Sequence, residues 1–181
     1  MLMNSAQGYG LVSKVLHWLI AIMILTLIAV RAYISDLDKD ASARAQIYGL
    51  HKAFGVTVLG LVLLRVAWIK LSAAPGLPAG LRHWESVLSR IVKVLLYILM
   101  LLTPVAGYLM SNAAGKPISW FGLIEMPAML GEDEQWREIL GELHEVFAFS
   151  MLGLAGLHIA GALKHRYVDK DPRLDVLKRM L

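Results

Sequence analysis

Four long apolar runs constrain the fold of this chain more than any other feature. Two of them, Val94–Ala114 and Val146–Leu163, contain no charged residue, and the other two, Val15–Ile34 and Gly49–Ile69, contain only one and two. Each run has close to the ~20 residues that a helix needs to cross a ~30 Å hydrocarbon core. Hydrophobic residues make up 57% of the 181 residues, which is more apolar surface than a soluble domain of this size could bury.

These runs predict an all-α fold, an integral membrane four-helix bundle formed by residues 1–181 as a single domain. The expected spanning helices are 15–34, 49–69, 92–113 and 143–164. The basic residues inside them lie near helix ends, where long side chains can reach the membrane surface.

Charges in the connecting segments predict the orientation. Basic residues collect between helices 2 and 3 and after helix 4, including Lys170, and such segments remain in the cytoplasm. Acidic residues dominate two other segments. One is the connection between helices 1 and 2, which contains Asp38 and Asp40, and the other runs from Glu125 to Glu142. Both termini are therefore expected in the cytoplasm.

The outer segment between helices 3 and 4 contains an apolar pattern of its own. Trp136, Ile139, Leu140 and Leu143 recur at helical spacing, which predicts a short amphipathic helix that lies outside helix 4 or leads into it. The split of the net charge of +4 between a basic and an acidic face indicates membrane topology and no nucleic-acid binding.

Four histidines fall at matching depths in this bundle. His17 begins helix 1 at the inner face, whereas His51 and His144 begin helices 2 and 4 at the outer face. His158 lies 14 residues after His144, which is about four helical turns or ~21 Å. We therefore expect two pairs, His51 with His144 and His17 with His158, each suited to ligate a haem iron.

Small residues follow each of these histidines by one helical turn, where a flat macrocycle would need room. They are Ala21, Gly55, Ala148 and Ala162. The remaining two histidines, His83 and His165, lack this pattern and lie among charged residues, so we expect them at the surface.

Other metal chemistry fits the sequence less well. The chain has no cysteine, which excludes an iron–sulfur cluster and a covalently attached haem. His144-Glu145 lacks the second histidine of a zinc-protease motif, and the apolar runs contain no glutamate for a di-iron centre. Any haem would be of b type.

Several short segments of the sequence are similar to those of a known family. They are Leu16-His17-Trp18-Leu19, His51-Lys52-Ala53-Phe54-Gly55, Leu64-Arg65, Leu96-Tyr97 with Pro104 and Gly107, His144-Glu145 and Gly156-Leu157-His158. With them the chain resembles the bacterial cytochrome b561 family along almost its whole length.

The resemblance implies a protein of the bacterial inner membrane with two non-covalent haem b groups and His17, His51, His144 and His158 as axial ligands. It implies an oxidoreductase that carries electrons across the membrane and exchanges them with quinone. For some members it implies oxidation of superoxide at the periplasmic face.

Basic residues near the histidines are candidate partners for haem propionates. Arg31 and Lys52 lie near the expected outer haem, and Arg65 lies near the inner one. Arg90 and Lys93 stand where members of the family often have two histidines, and they are candidates as well.

Two other functions remain open at this point. The chain could be a membrane-anchor cytochrome b that links a separate dehydrogenase or hydrogenase to quinone, or a haem-free transporter or proton relay that uses the same histidines. The acidic outer segment could also receive a basic periplasmic redox protein.

Overall fold

Four long helices and one small hairpin form the fold. The computed structural model describes residues 1–6, 8–36, 42–78, 80–169 and 171–181. Asp38 and Asp40, used above for the orientation, lie outside the described residues, as does Lys170. In chain order the elements are α1 (Leu11–Asp36), α2 (Ser42–Leu71), α3 (His83–Ala113), β1 (Ser119–Trp120), β2 (Ile124–Glu125) and α4 (Glu134–Leu163), followed by a π-helical turn at Lys164–Val168.

All four helices are long and apolar enough to cross a membrane. The spans are Leu11–Ile34, Ala43–Leu71, His83–Ala113 and Glu134–Val168. About half of their large apolar side chains are exposed and few are fully buried, as expected where lipid is the solvent. The predicted all-α membrane four-helix bundle is confirmed.

All four helices begin earlier than hydropathy predicted. The largest differences are in α3, which begins at His83 instead of residue 92, and in α4, which begins at Glu134 instead of residue 143. Local capping explains both starts. Glu85 Oε2 accepts a hydrogen bond from the backbone N–H of Arg82 (3.1 Å), and Asp133 Oδ1 accepts one from that of Trp136 (2.9 Å). Hydropathy reports only the part of a helix that lies in hydrocarbon, so these polar first turns escaped it.

The predicted amphipathic segment is helical, but it is continuous with α4 and forms its first turns. Trp136 and Ile139 are exposed and Leu140 is buried. The residues before it form a hairpin that the sequence did not predict.

The hairpin pairs β1 with β2 in antiparallel register, Ser119 opposite Glu125. Three residues connect the strands, and Leu123 N donates to Trp120 O at 3.0 Å. The two central residues of this turn, Phe121 and Gly122, have φ values of 52° and 74°, both in the left-handed region that a type I′ turn requires. The hairpin packs against α2, because Phe121 meets the edge of Phe54 at a ring-centroid distance of 4.9 Å. Trp120 Nε1 also donates to Thr57 Oγ1 at 3.0 Å.

Helix packing is uneven. Consecutive helices pack along one another, and α3 and α4 do so most extensively, whereas among the described residues α4 does not pack along α1 or α2. An apolar cluster around Ile20, Val58 and Val62 joins α1 to α2. Among the described residues, few direct contacts therefore connect α4 to α1 and α2.

Both terminal segments lie at one end of the bundle, which we call the His17 end; the opposite end is the His51 end. Asn4 fastens the N-terminal segment there. Its amide N–H groups donate to Ser72 O (2.8 Å), and its Oδ1 accepts from Gly10 N (2.8 Å) and Ser13 Oγ (2.7 Å). Trp18 Nε1 donates to Met180 O (2.9 Å) and holds the C-terminal segment against α1.

An ion-pair cluster closes α4 at the His17 end. Lys164 Nζ lies 2.8 Å from Glu85 Oε1 on α3 and 2.9 Å from Asp169 Oδ2. His165 Nδ1 lies 2.7 Å from the same Asp169 oxygen. The Glu85 side chain is only 8% exposed, so Lys164 supplies the charge that a buried carboxylate needs.

Replacing Lys164 tests this cluster. Lys164→Ala leaves Glu85 buried without a cation, so we expect the unfolding temperature in detergent to fall by several degrees. Glu85→Gln in the same background removes the uncompensated charge and should restore most of the loss. Arg137→Ala, which breaks a solvent-exposed pair with Glu134, is the control and should have little effect. A fall in Lys164→Ala that Glu85→Gln does not reverse would contradict this role.

Candidate functional site

The four histidines form two facing pairs inside the bundle. His51 of α2 faces His144 of α4, with ring centroids 6.4 Å apart and ring planes at 73°. His17 of α1 faces His158 of α4, with corresponding values of 6.3 Å and 70°. The two pairs are those predicted from depth, and both connect α4 to a helix along which it does not pack.

The separation within each pair fits a shared metal ion. A metal–imidazole bond is about 2.0–2.1 Å long and a ring nitrogen lies about 1.1 Å from its centroid, so two imidazoles on opposite sides of one ion have centroids about 6.3 Å apart. Rings crossed at 70° and 73° do not stack on each other. The arrangement therefore suits two ligands on a common axis.

The surroundings of the histidines fit a flat macrocycle. A Cβ built on Gly55, one turn after His51, would lie within 4 Å of no other atom. Ala21, Ala148 and Ala162 are half-buried one turn after the other three histidines. Small side chains at these positions leave width between α4 and its two facing helices, and the residues present fit a haem at each pair.

The ring of His144 sits in a cradle formed by α3. Its Nδ1 is 2.8 Å from the carbonyl oxygen of Thr103, so Nδ1 carries the proton and Nε2 keeps a lone pair for a metal. Gly107, one turn after Thr103, lies against the same edge of the ring, since a Cβ there would be 2.8 Å from both Cε1 and Nδ1. Glycine is required by this close approach.

Neither the role of Thr103 nor the contact of Gly107 with a histidine was predicted from the sequence. The acceptor is a main-chain carbonyl, which every residue type has, so no residue type in the sequence indicates this hydrogen bond. What could have indicated a special site is Thr103-Pro104 followed by Gly107 inside an apolar helix. His51 differs from His144, because its Nδ1 is buried and has no hydrogen-bond partner among the described residues.

Three of the five predicted basic residues act on the histidine pairs. Arg31 interacts electrostatically with His51 and His144, and Arg65 interacts with His17 and His158. The third is Lys93 of α3, which interacts electrostatically with His158 at the His17 end.

The other two basic residues, Lys52 and Arg90, have charged neighbours other than the histidines. Lys52 interacts with Lys116, and the exposed Arg90 interacts with Lys93. The structure therefore gives no direct connection between either residue and a histidine.

Arg65 is held in place by polar contacts from two helices. Its Nε donates to Tyr97 OH at 2.8 Å, and one terminal nitrogen donates to Ser13 O at 3.1 Å. Ser13 Oγ also accepts from Trp68 Nε1 at 3.0 Å. Because a guanidinium has five donor hydrogens, donors remain for an anionic group near the His17 pair.

His83 is exposed at the start of α3, as predicted. His165 was also expected at the surface, but its side chain is only 13% exposed and binds Asp169 in the ion-pair cluster. Neither belongs to a facing pair.

A family model described as prokaryotic cytochrome b561 matches residues 8–181. The chain belongs to the prokaryotic cytochrome b561 family. It is 34% identical over 178 residues to "Cytochrome b561 homolog 2" of Escherichia coli (strain K12), which covers 98% of this chain and 93% of the relative. It is 23% identical over 159 residues to "Cytochrome b561 homolog 1" of the same organism, covering 88% and 90%. This cytochrome b561 is thus a multi-pass bacterial membrane protein that uses b-type haem in electron transfer.

Gly107→Ala tests the cradle on α3. The added methyl group would displace the His144 ring and break its contact with Thr103, so we expect haem binding at this site to weaken about 10–100-fold. Titration of the haem-depleted protein with haem, followed by absorbance, measures the effect. Gly60→Ala is the matched control, because a Cβ there meets nothing within 4 Å. Equal haem affinity in both variants would show that the ring does not depend on Gly107.

Proposed function

We propose that this cytochrome b561 holds two haem b groups, one at each histidine pair, and carries electrons across the membrane in exchange with the quinone pool. The observation that carries the proposal is the pair of ring separations, 6.3 and 6.4 Å, at two depths. Bound haem supplies one-electron oxidation and reduction at its iron. The protein supplies position, burial and charge.

The ligands are His51 with His144 and His17 with His158. Two histidines on one iron leave no coordination position for a substrate, so a small molecule would approach the periphery of the site. The Thr103 carbonyl fixes the orientation of His144 through Nδ1, and such contacts increase the basicity of a metal-bound imidazole.

Cations near each pair suit the carboxylates of haem propionates. Arg65 and Lys93 serve the His17 pair, and Arg31 serves the His51 pair. The guanidinium of Arg65 is fixed by Tyr97 and Ser13, so the side chain loses less conformational entropy when it binds an anion.

The His17 end is placed in the cytoplasm of a bacterial cell, with the protein in the inner membrane. Support comes from the basic residues at this end of the bundle, in the helix ends, the connection between α2 and α3 and the C-terminal segment, among them Lys14, Lys70, Arg82 and Arg179. The acidic start of α4 then faces the periplasm.

A second candidate activity is oxidation of superoxide at the His51 end, with quinone as electron acceptor. The observation in its favour is Arg31, which places a positive charge near both His51 and His144. A local cation attracts a small anion. The acidic residues from Glu125 to Glu142 oppose this attraction at longer range.

Histidine substitutions test the two-haem arrangement. Purified wild-type protein should contain two extractable haems per chain with low-spin spectra. His17→Ala and His158→Ala should remove one and the same haem signal, and His51→Ala and His144→Ala the other, as measured by pyridine haemochrome and low-temperature difference spectra. His83→Ala is the control and should retain both haems. Loss of the same signal in His17→Ala and His51→Ala would refute the pairing.

Stopped-flow mixing tests the donor at the His51 end. If superoxide is the substrate, haem reduction should slow as salt increases, and Arg31→Gln should slow it about fivefold at low salt. Reduction by a water-soluble quinol should be unchanged. Arg44→Gln, at the same end, is the matched control. Equal rates of haem reduction by superoxide in Arg31→Gln and Arg44→Gln would contradict the superoxide step and leave quinone-linked electron transfer as the function.

A further inference from the structure

A basic cavity of about 780 Å³ lies at the His17 end. It opens between the N-terminal segment, the first turn of α1 and the C-terminal segment. Four cationic side chains line it, against one acidic side chain, Asp175: Lys14, Arg173, Lys178 and Arg179.

The charges of this cavity are not balanced from within. Asp175 lies 4.0 Å from Arg166, which is outside the cavity, and Arg173 is bound to Asp171. Lys14 and Lys178 have no ion-pair partner among the described residues. Like charges brought together in one cavity repel, and an anion between them relieves the repulsion.

The cavity lies where the bundle meets the membrane surface. Leu11 lines it and begins a lipid-facing stripe that continues through Val15 and Ile22, whose exposed fractions are 56%, 53% and 61%. Trp18, on the same side of α1, reaches the C-terminal segment through its indole N–H, and tryptophan favours the membrane–water interface. A charged cavity that continues into an apolar stripe is suited to an amphiphile.

We propose that this cavity binds the phosphate headgroup of an anionic phospholipid, whose acyl chains lie along the Leu11–Ile22 face of α1. Lys14 and Lys178 contact the phosphate and thereby connect the N-terminal and C-terminal segments. The stripe distinguishes a lipid from free phosphate, which would use the cations alone. The binding does not depend on how the histidines are used.

Native mass spectrometry of the full-length protein, titrated with phosphatidylglycerol in non-ionic detergent, tests the proposal. Each cation near an anionic lipid contributes about fivefold in affinity. Lys14→Gln/Lys178→Gln should therefore bind phosphatidylglycerol about 30-fold more weakly than wild type. Lys70→Gln/Arg82→Gln removes the same charge at the same end outside the cavity and should bind as wild type does.

Two further arms identify the ligand. Phosphatidylcholine, which carries no net charge, should bind wild type weakly and equally in both variants. Inorganic phosphate should not displace phosphatidylglycerol at millimolar concentration. Equal loss of binding in both double variants, equal binding of the two lipids, or full displacement by phosphate would overturn the proposal. Val15→Gln, which alters only the stripe, should weaken lipid binding and not phosphate binding.

Discussion

The fold depends on imidazole rings that face each other between α4 and the helices along which α4 does not pack. The ring centroids of His51 and His144, like those of His17 and His158, lie 6.3–6.4 Å apart, a separation that suits two bonds to one metal ion. Among the described residues, α4 packs extensively along α3 and not along α1 or α2. Under the proposed haem ligation, haem would therefore connect α4 to α1 and α2, and haem binding would contribute to the stability of the bundle.

One interval relates the four histidines to the cations and the glycine that lie beside them. Fourteen residues are about four helical turns, so residues at this spacing lie on similar sides of a helix at two depths. His144 and His158 show it on α4, and the other helices repeat it with different residues. The corresponding pairs are His17 and Arg31 on α1, His51 and Arg65 on α2, and Lys93 and Gly107 on α3. Each depth thus receives two imidazoles from two helices, with a cation or a close-packed glycine from the others.

The helices and the facing histidines could be predicted because both follow from the helical period and from the thickness of a bilayer. The early starts of α3 and α4 could not, since Asp133 and Glu85 stabilise turns beyond the hydrocarbon region. The hairpin escaped prediction because Phe121 adopts a left-handed conformation that favours glycine. The cradle of His144 escaped it because the acceptor is the main-chain carbonyl of Thr103, which no residue type reveals.

The two sites differ in how firmly their cations are held. Arg65 is fixed by Tyr97 and Ser13. Ser13 Oγ in turn accepts a hydrogen bond from Trp68 Nε1 and donates one to Asn4 Oδ1. The charge of Arg65 is therefore part of the folded structure at the His17 end. Arg31 is exposed at the other depth, where its charge is screened by solvent ions. Under the proposed haem ligation, an electron at the His17 pair would therefore meet a positive charge held by the fold, whereas the field from Arg31 at the His51 pair would vary with ionic strength.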